Sequence, residues 1–203
     1  MMKLSCPVIL ASASPRRKEL LSGMGIEFTV IPAEVEEISA GSGYPAEEMV
    51  RLNAGLKADA VAKLHPESLV IGSDTVIEFD GRIFGKPHTE EEAFSMLRSL
   101  SGKTHRVMSG VALRCEKTGI DCSFTEISRV VFKELSDAMI REYMCLVNVM
   151  DKAGAYAIQE HGELILAGLT GSLSNVIGLP VERLSRELAL TGLVLPESPA
   201  RKK

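Results

Sequence analysis

The 203-residue chain is poor in aromatic side chains, which make up 4% of it. The few there are do not interleave with a stripe of Lys and Arg. Single-stranded nucleic acid is held by stacking bases on aromatic rings along a basic groove, so no nucleic-acid partner is expected. Cations are not in excess either: 23 Lys and Arg stand against 27 Asp and Glu, a formal net charge of -4. A small anionic ligand, however, needs only a few local cations. The four cysteines, Cys6, Cys115, Cys122 and Cys145, form no C-x-x-C pair. They read as reduced thiols of a reducing compartment. No run approaches the ~18 apolar residues of a membrane span, and the stretch before Cys6 is too short for the apolar core of an export signal. A cytoplasmic protein that does not engage a membrane is expected. Also missing are a Walker P-loop, a G-x-S-x-G elbow and an H-E-x-x-H pair. His65, His88, His105 and His161 show no ligand spacing and read as structural or exposed.

What is present is an alternation of helical and extended patterns. Residues 7–12 are continuously apolar and read as a buried strand. Ser14 followed by Pro15 marks a helix start, with Ser as N-cap and Pro at the first helical position. A strand over 27–32 and an acidic, Gly/Ser-rich loop over 34–45 come next. Residues 45–64 read as a long helix whose apolar face is Met49, Leu52, Leu56, Ala60 and Leu64. In 68–87 a strand meets a polar interruption at Gly72-Ser73-Asp74, resumes, and turns at Asp80-Gly81. Residues 89–100 form a helix with Thr89 and Glu92 placed as a capping box. Two long strands, 104–115 and 122–135, are joined by a turn at Gly119. Helices over 136–146 and 179–192 flank a stretch of turns and short strands. The fold class is therefore α/β with a mixed sheet and flanking helices. One domain is expected over residues 1–195, followed by a loose tail at 196–203.

Three stretches carry chemistry. "ASASPRRKELL" (11–21) puts Arg16 and Arg17 in the first turn of a helix, where backbone N–H groups are free and the dipole is positive. Paired cations are locally costly there, and an anion would remove the conflict. Ser12 and Ser14 add hydroxyl donors, and Arg binds phosphate in bidentate fashion. Two solvated surface arginines are the plain alternative. "GSDTV" (72–76) sets Asp74 inside an apolar strand, as metal ligand, base or capped structural Asp. "GKP" (85–87) puts Lys86 just after the hairpin, close enough in the chain to share a cleft mouth with Asp74. Lys57, on its own, reads as a solvated helix lysine. Glu34, Glu36 and Glu37 form an acidic cluster that, with Asp74, offers oxygen donors to Mg²⁺ or Mn²⁺. Cations, carboxylates and hydroxyls suit metal-assisted attack on a phosphate better than acyl transfer.

Together, "ASASPRRKELL", "IGSDTV", "GKP", "LSGKTHRVMSGVAL", "DKAGAYAIQ" and "GLPVERL" resemble, in order, the motifs of the Maf family of nucleotide pyrophosphatases, once described as septum formation inhibitors. The resemblance covers about residues 8–190. It implies a mixed, twisted sheet with two lobes around a cleft, similar to the inosine triphosphatases. It also implies hydrolysis of a nucleoside triphosphate to monophosphate and pyrophosphate, with a divalent cation, Mg²⁺ or Mn²⁺, as cofactor. Carried over residue by residue, it names Arg16, Glu37, Lys57, Asp74 and Lys86 as catalytic. It makes Ser12 and Gln159 substrate contacts, to which their neighbours in the motifs, Ser14, Arg17 and Thr75, are added, and the metal ligands are Asp74 and Glu37. Asp74 as metal ligand and Asp74 as general base both stay open. "SPRR" and Gln159 look like the dTTP/UTP branch. A branch acting on 7-methyl-GTP has Trp in place of the first Arg and a Glu-containing stretch in place of Gln. A Gln amide satisfies the acceptor and donor that uracil and thymine present side by side. Gly85 and Ala157 depart mildly from that branch's pattern. The resemblance further implies a homodimer. A nucleotide-binding regulator of septation that acts through a partner without turnover is the alternative from another class.

Overall fold

The structure, a computed structural model, describes residues 3–195. The expected loose tail at 196–203 lies outside the described residues. A seven-stranded mixed sheet organises them. Its strands are β1 (Val8–Leu10), β2 (Thr29–Val30), β3 (Leu69–Phe79), β4 (Arg82–Phe84), β5 (Thr104–Cys115), β6 (Ile120–Phe132) and β7 (Leu166–Thr170). The order is β2-β1-β3-β5-β6-β7, with β4 attached to β3. β1 runs parallel to β2 and β3, while the pairs β3–β4, β3–β5, β5–β6 and β6–β7 are antiparallel. The long hairpin of β5 and β6 turns at Gly119, whose φ is 68°.

β3 explains the cleft. On one edge it pairs with β5 without a break from Val70 to Glu78. On the other edge it pairs first with β1, from Leu69 to Ile71, and then with β4, from Ile77 to Phe79. Between them, Gly72–Val76 meet no strand on that edge among the described residues. The polar triplet at 72–74 thus leaves β3 itself intact, contrary to the expected interruption. What it interrupts is the neighbour. Side chains alternate along a strand, so Leu69, Ile71, Ser73, Thr75 and Ile77 share one face. Leu69 and Ile71 belong to one apolar core with helices α1 (Pro15–Gly23) and α7 (Val181–Leu190). Ile77 belongs to a second core with α3 (Glu90–Leu100) and α4 (Asp137–Leu146). Ser73 and Thr75 lie between the two, which makes two lobes with a polar seam.

The opposite face of β3 and β5 is covered by α2 (Ala46–Ala62). Here the expected apolar stripe is corrected. Leu56 is 39% exposed and Leu64 76%. The buried face is instead Met49, Val50, Asn53, Ala54, Lys57, Ala58 and Val61. The cause is proximity: a Cβ on Gly72 would overlap the Ala54 carbonyl oxygen, and one on Gly110 that of Val50. Where backbones come that close, only small side chains fit at the centre of contact, and large ones are pushed to the rim. Two short helices, α5 (Gly162–Ile165) and α6 (Leu173–Ile177), the second capped by Ser172 accepting from Asn175 N, were not anticipated. None of the described helices is long and apolar enough to cross a membrane.

Candidate active site

A cleft of about 490 Å³ opens at the unpaired stretch of β3. Ten residues singled out from the sequence line it: Ser12, Ser14, Arg16, Arg17, Glu37, Lys57, Asp74, Thr75, Lys86 and Gln159. They come from six separate segments, brought together because β1 stops at Leu10, β4 starts at Arg82 and α2 lies against the face between.

The two arginines of the opening motif have different surroundings. Arg17 takes the place of the missing strand neighbour. Its Nη1 donates to the Ser73 carbonyl at 2.9 Å and to Ser12 Oγ at 3.1 Å, its Nη2 to Thr75 Oγ1 at 3.1 Å, and its Nε to the Gly178 carbonyl at 3.0 Å. The Gly178 carbonyl also accepts from Ser73 Oγ at 3.2 Å, tying the chain after α6 to β3. Arg16 has one distant partner, Asp151 at 3.9 Å, and its side chain is 28% exposed. Ser14 stands at the N-cap of α1 without a side-chain capping bond. The N-terminal turn of α1 therefore presents free N–H groups and a loosely held guanidinium to the cleft.

On the other wall, Lys57 bridges two carboxylates. Its Nζ lies 2.8 Å from Glu37 Oε2 and 3.0 Å from Asp74 Oδ1. Lys57 is buried among the alanines of α2, so it is not the solvated lysine that its lone position suggested. Burial alone would raise the Asp74 carboxyl. The charges of Lys57 and Arg17, with hydrogen bonds from Lys57 and Asn53, outweigh it and hold the group below the usual carboxylate range. Asp74 is thus ionised at neutral pH. Of the acidic cluster, Glu37 alone lines the cleft; Glu34 and Glu36 are exposed elsewhere.

Two contributors escaped the sequence reading. Asn53, one turn before Lys57, accepts from Ile38 N at 2.8 Å, donates to Ile38 O at 3.0 Å and donates to Asp74 Oδ2 at 3.2 Å. It fixes the loop that carries Glu37 against the strand that carries Asp74. A lone Asn in a helix sends no signal except its four-residue spacing from a lysine that was itself discounted. Lys152, also buried, bonds Asn148 O at 2.7 Å, Asp151 Oδ1 at 2.8 Å and Glu160 Oε2 at 3.2 Å. It cross-braces the segment that ends in Gln159. Gly154, with φ of 65°, donates to the Gly85 carbonyl at 2.9 Å and so sets the Lys86 loop beside that segment. Behind the cleft wall, His105 Nε2 meets the Tyr156 hydroxyl at 2.7 Å. Burial pulls the His105 imidazole down to about 4, so it is neutral in the folded protein near pH 7.

The model of the Maf-like protein family matches residues 7–191. The chain belongs to that family. Relatives named dTTP/UTP pyrophosphatase are similar over most of their length. The one from Akkermansia muciniphila is 51% identical over 86% of this chain and 91% of its own. Those from Phocaeicola vulgatus and Bacillus cytotoxicus are 46% and 45% identical over 89% of this chain, and 94% and 93% of theirs. Among solved structures, the Ham1 protein of Staphylococcus aureus aligns with a TM-score of 0.43 at 16% identity, over 63% of this chain and 72% of that one.

Among the described residues no three His, Cys, Asp or Glu side chains gather as a metal site. The pair that exists suits a hard cation all the same. Asp74 and Glu37 both reach Lys57 Nζ and so face one point of the cleft. One or two carboxylates completed by water and substrate phosphate are the usual Mg²⁺ set.

Proposed function

We propose that this Maf-like protein hydrolyses pyrimidine nucleoside triphosphates, dTTP and UTP or modified forms of them, to the monophosphate and pyrophosphate, in the cytoplasm. The observation that carries the reading is the convergence of Arg16, Lys57 and Lys86 with Asp74 and Glu37 in one cleft. That arrangement combines a cationic clamp for a polyphosphate with carboxylates for a divalent cation.

Arg16 and Lys86 bind the phosphates, and the free N–H groups of α1 add favourable charge. These cations also offset the charge that builds on the departing pyrophosphate. Asp74 and Glu37 would hold Mg²⁺ or Mn²⁺, which when bound supplies positive charge against the phosphate oxygens. Asp74, ionised at neutral pH, either holds that ion or accepts the proton of the attacking water; both roles need the charged form. Arg17 keeps the unpaired edge of β3 in shape and holds Ser12 and Thr75 at the cleft wall. Gln159, exposed at the far side, reads the uracil or thymine edge with its amide. The names of the relatives support this base choice.

The test is product analysis by phosphorus NMR with UTP or dTTP and Mg²⁺ or Mn²⁺. Monophosphate and pyrophosphate are expected. Orthophosphate with a diphosphate overturns the α–β cleavage, and activity that survives EDTA overturns the metal requirement. Nucleotide binding without any turnover would favour the regulator.

A further inference from the structure

Both carboxylates that suit a divalent cation already have a cation. Lys57 stands between them, within 2.8 and 3.0 Å of their oxygens, on a side chain only 11% exposed. The second Asp74 oxygen is taken by Asn53. The wider cleft adds to this: Arg16, Arg17, Lys57, Lys86 and Lys152 line it against Glu37, Asp74 and Asp151. An excess of positive charge in a concave, partly desolvated site repels a bare dication and attracts a polyphosphate, alone or with its metal. The lysine ammonium is a point charge on a flexible stem and exchanges one set of anionic oxygens for another without a fixed fork to re-seat. Asn53 holds the Glu37 loop and Asp74 from a different helix turn, so the carboxylates stay in place when the ammonium leaves.

We propose that Lys57 keeps the cation's place in the nucleotide-free protein, so that the divalent cation enters only with the triphosphate, as Lys57 transfers from the two carboxylates to phosphate oxygens. This rests on the functional reading above. It assigns Lys57 a role in binding order as well as in the clamp. Metal and nucleotide then bind with positive coupling, and the coupling is reciprocal.

The experiment counts free Mn²⁺ by electron paramagnetic resonance. Samples are protein alone, protein with UTP carrying a methylene in place of the α–β bridging oxygen, and the analogue alone. The expected result is weak Mn²⁺ binding by protein alone. Binding to protein with analogue should be at least about tenfold tighter than to either component. Mn²⁺ should tighten analogue binding by the same factor. Lys57→Met should let the nucleotide-free protein bind Mn²⁺ at least about tenfold better, a gain lost again in Lys57→Met/Asp74→Asn. Equal Mn²⁺ affinity of the wild-type protein with and without analogue overturns the proposal, and needs no variant to fold. So does a folded Lys57→Met with no gain. Failure of this proposal alone shows as pyrophosphate release by a protein that binds Mn²⁺ well without nucleotide. Failure of the functional reading shows as no turnover and no binding of the analogue.

Discussion

The two edges of β3 differ in one respect, and the difference makes the site. Towards β5 the ladder is continuous, so the strand is held rigid along its length. Towards β1 and β4 the ladder is broken at Gly72–Val76, and the break is filled by side chains. Arg17 satisfies the Ser73 carbonyl on the side of the polar seam, while Lys57 and Asn53 satisfy Asp74 on the side of α2. A buried carboxylate such as Asp74 can sit mid-strand and still face the cleft because one edge supplies the stiffness and the other the access.

Four experiments break or sharpen that contrast. On the open edge, Asp74→Asn should lower kcat by about 10²–10⁴ while circular dichroism stays native, since the amide keeps shape but neither binds a cation well nor accepts a proton. Near-native activity would make Asp74 structural. The acid sensitivity lies on the neighbouring strand of the continuous edge, one residue past the end of the ladder at Arg106. His105, on β5, falls from 6.5 to about 4 on burial. The unfolded chain therefore binds the extra proton first, and stability drops as pH falls from 6.5 towards 4, by about 3 kcal/mol in all. Asp74 is depressed, so its contribution is lost only at lower pH, below the ordinary carboxylate value of 3.8. Urea midpoints at pH 7, 5 and 3.5 check this. His105→Leu should flatten the upper window and leave the lower one, and an unchanged upper window would refute the assignment.

The adjacent arginines should separate. Arg17→Ala should cost about 2 kcal/mol of stability, because it strands acceptors inside the seam. Arg16→Ala should leave the melting temperature nearly unchanged and lower kcat/KM by about 10². Reversed effects would exchange their roles. The smallest effect is on base choice. Gln159→Glu loses an amide donor and sets a negative charge against a pyrimidine carbonyl oxygen, which should change discrimination against UTP by roughly tens-fold. If kcat/KM for UTP, dTTP and 7-methyl-GTP falls equally, Gln159 serves the chemistry and the substrate reading loses its main support.

Much of this was legible in the chain. The Asp80-Gly81 and Gly119 turns, the Pro15 helix start and the Thr89 cap stand where their residue types demand. The helix over 45–64 was recognised but rotated. Periodicity weighs side-chain size, and here the largest apolar residues sit outward because the backbones pack too closely to admit them. Arg16 and Arg17 look alike as letters. Only the missing partner of Ser73, which depends on where two distant strands end, tells them apart. Lys57 and Asn53 face the same limit: each acquires meaning from a carboxylate on another element.

Gly72 and Gly110 have a further effect. Neither touches the cleft, yet the absence of their side chains sets how deep α2 rests on the sheet. They work as a depth gauge for Lys57 and Asn53. One added methyl at either would overlap a backbone carbonyl oxygen of α2, push the helix off the sheet, and lengthen the Lys57–Asp74 and Asn53–Asp74 contacts together. In a mutational scan both glycines should therefore score like active-site residues. In a laboratory lineage they give a mechanical way to retune the site without changing any residue in it.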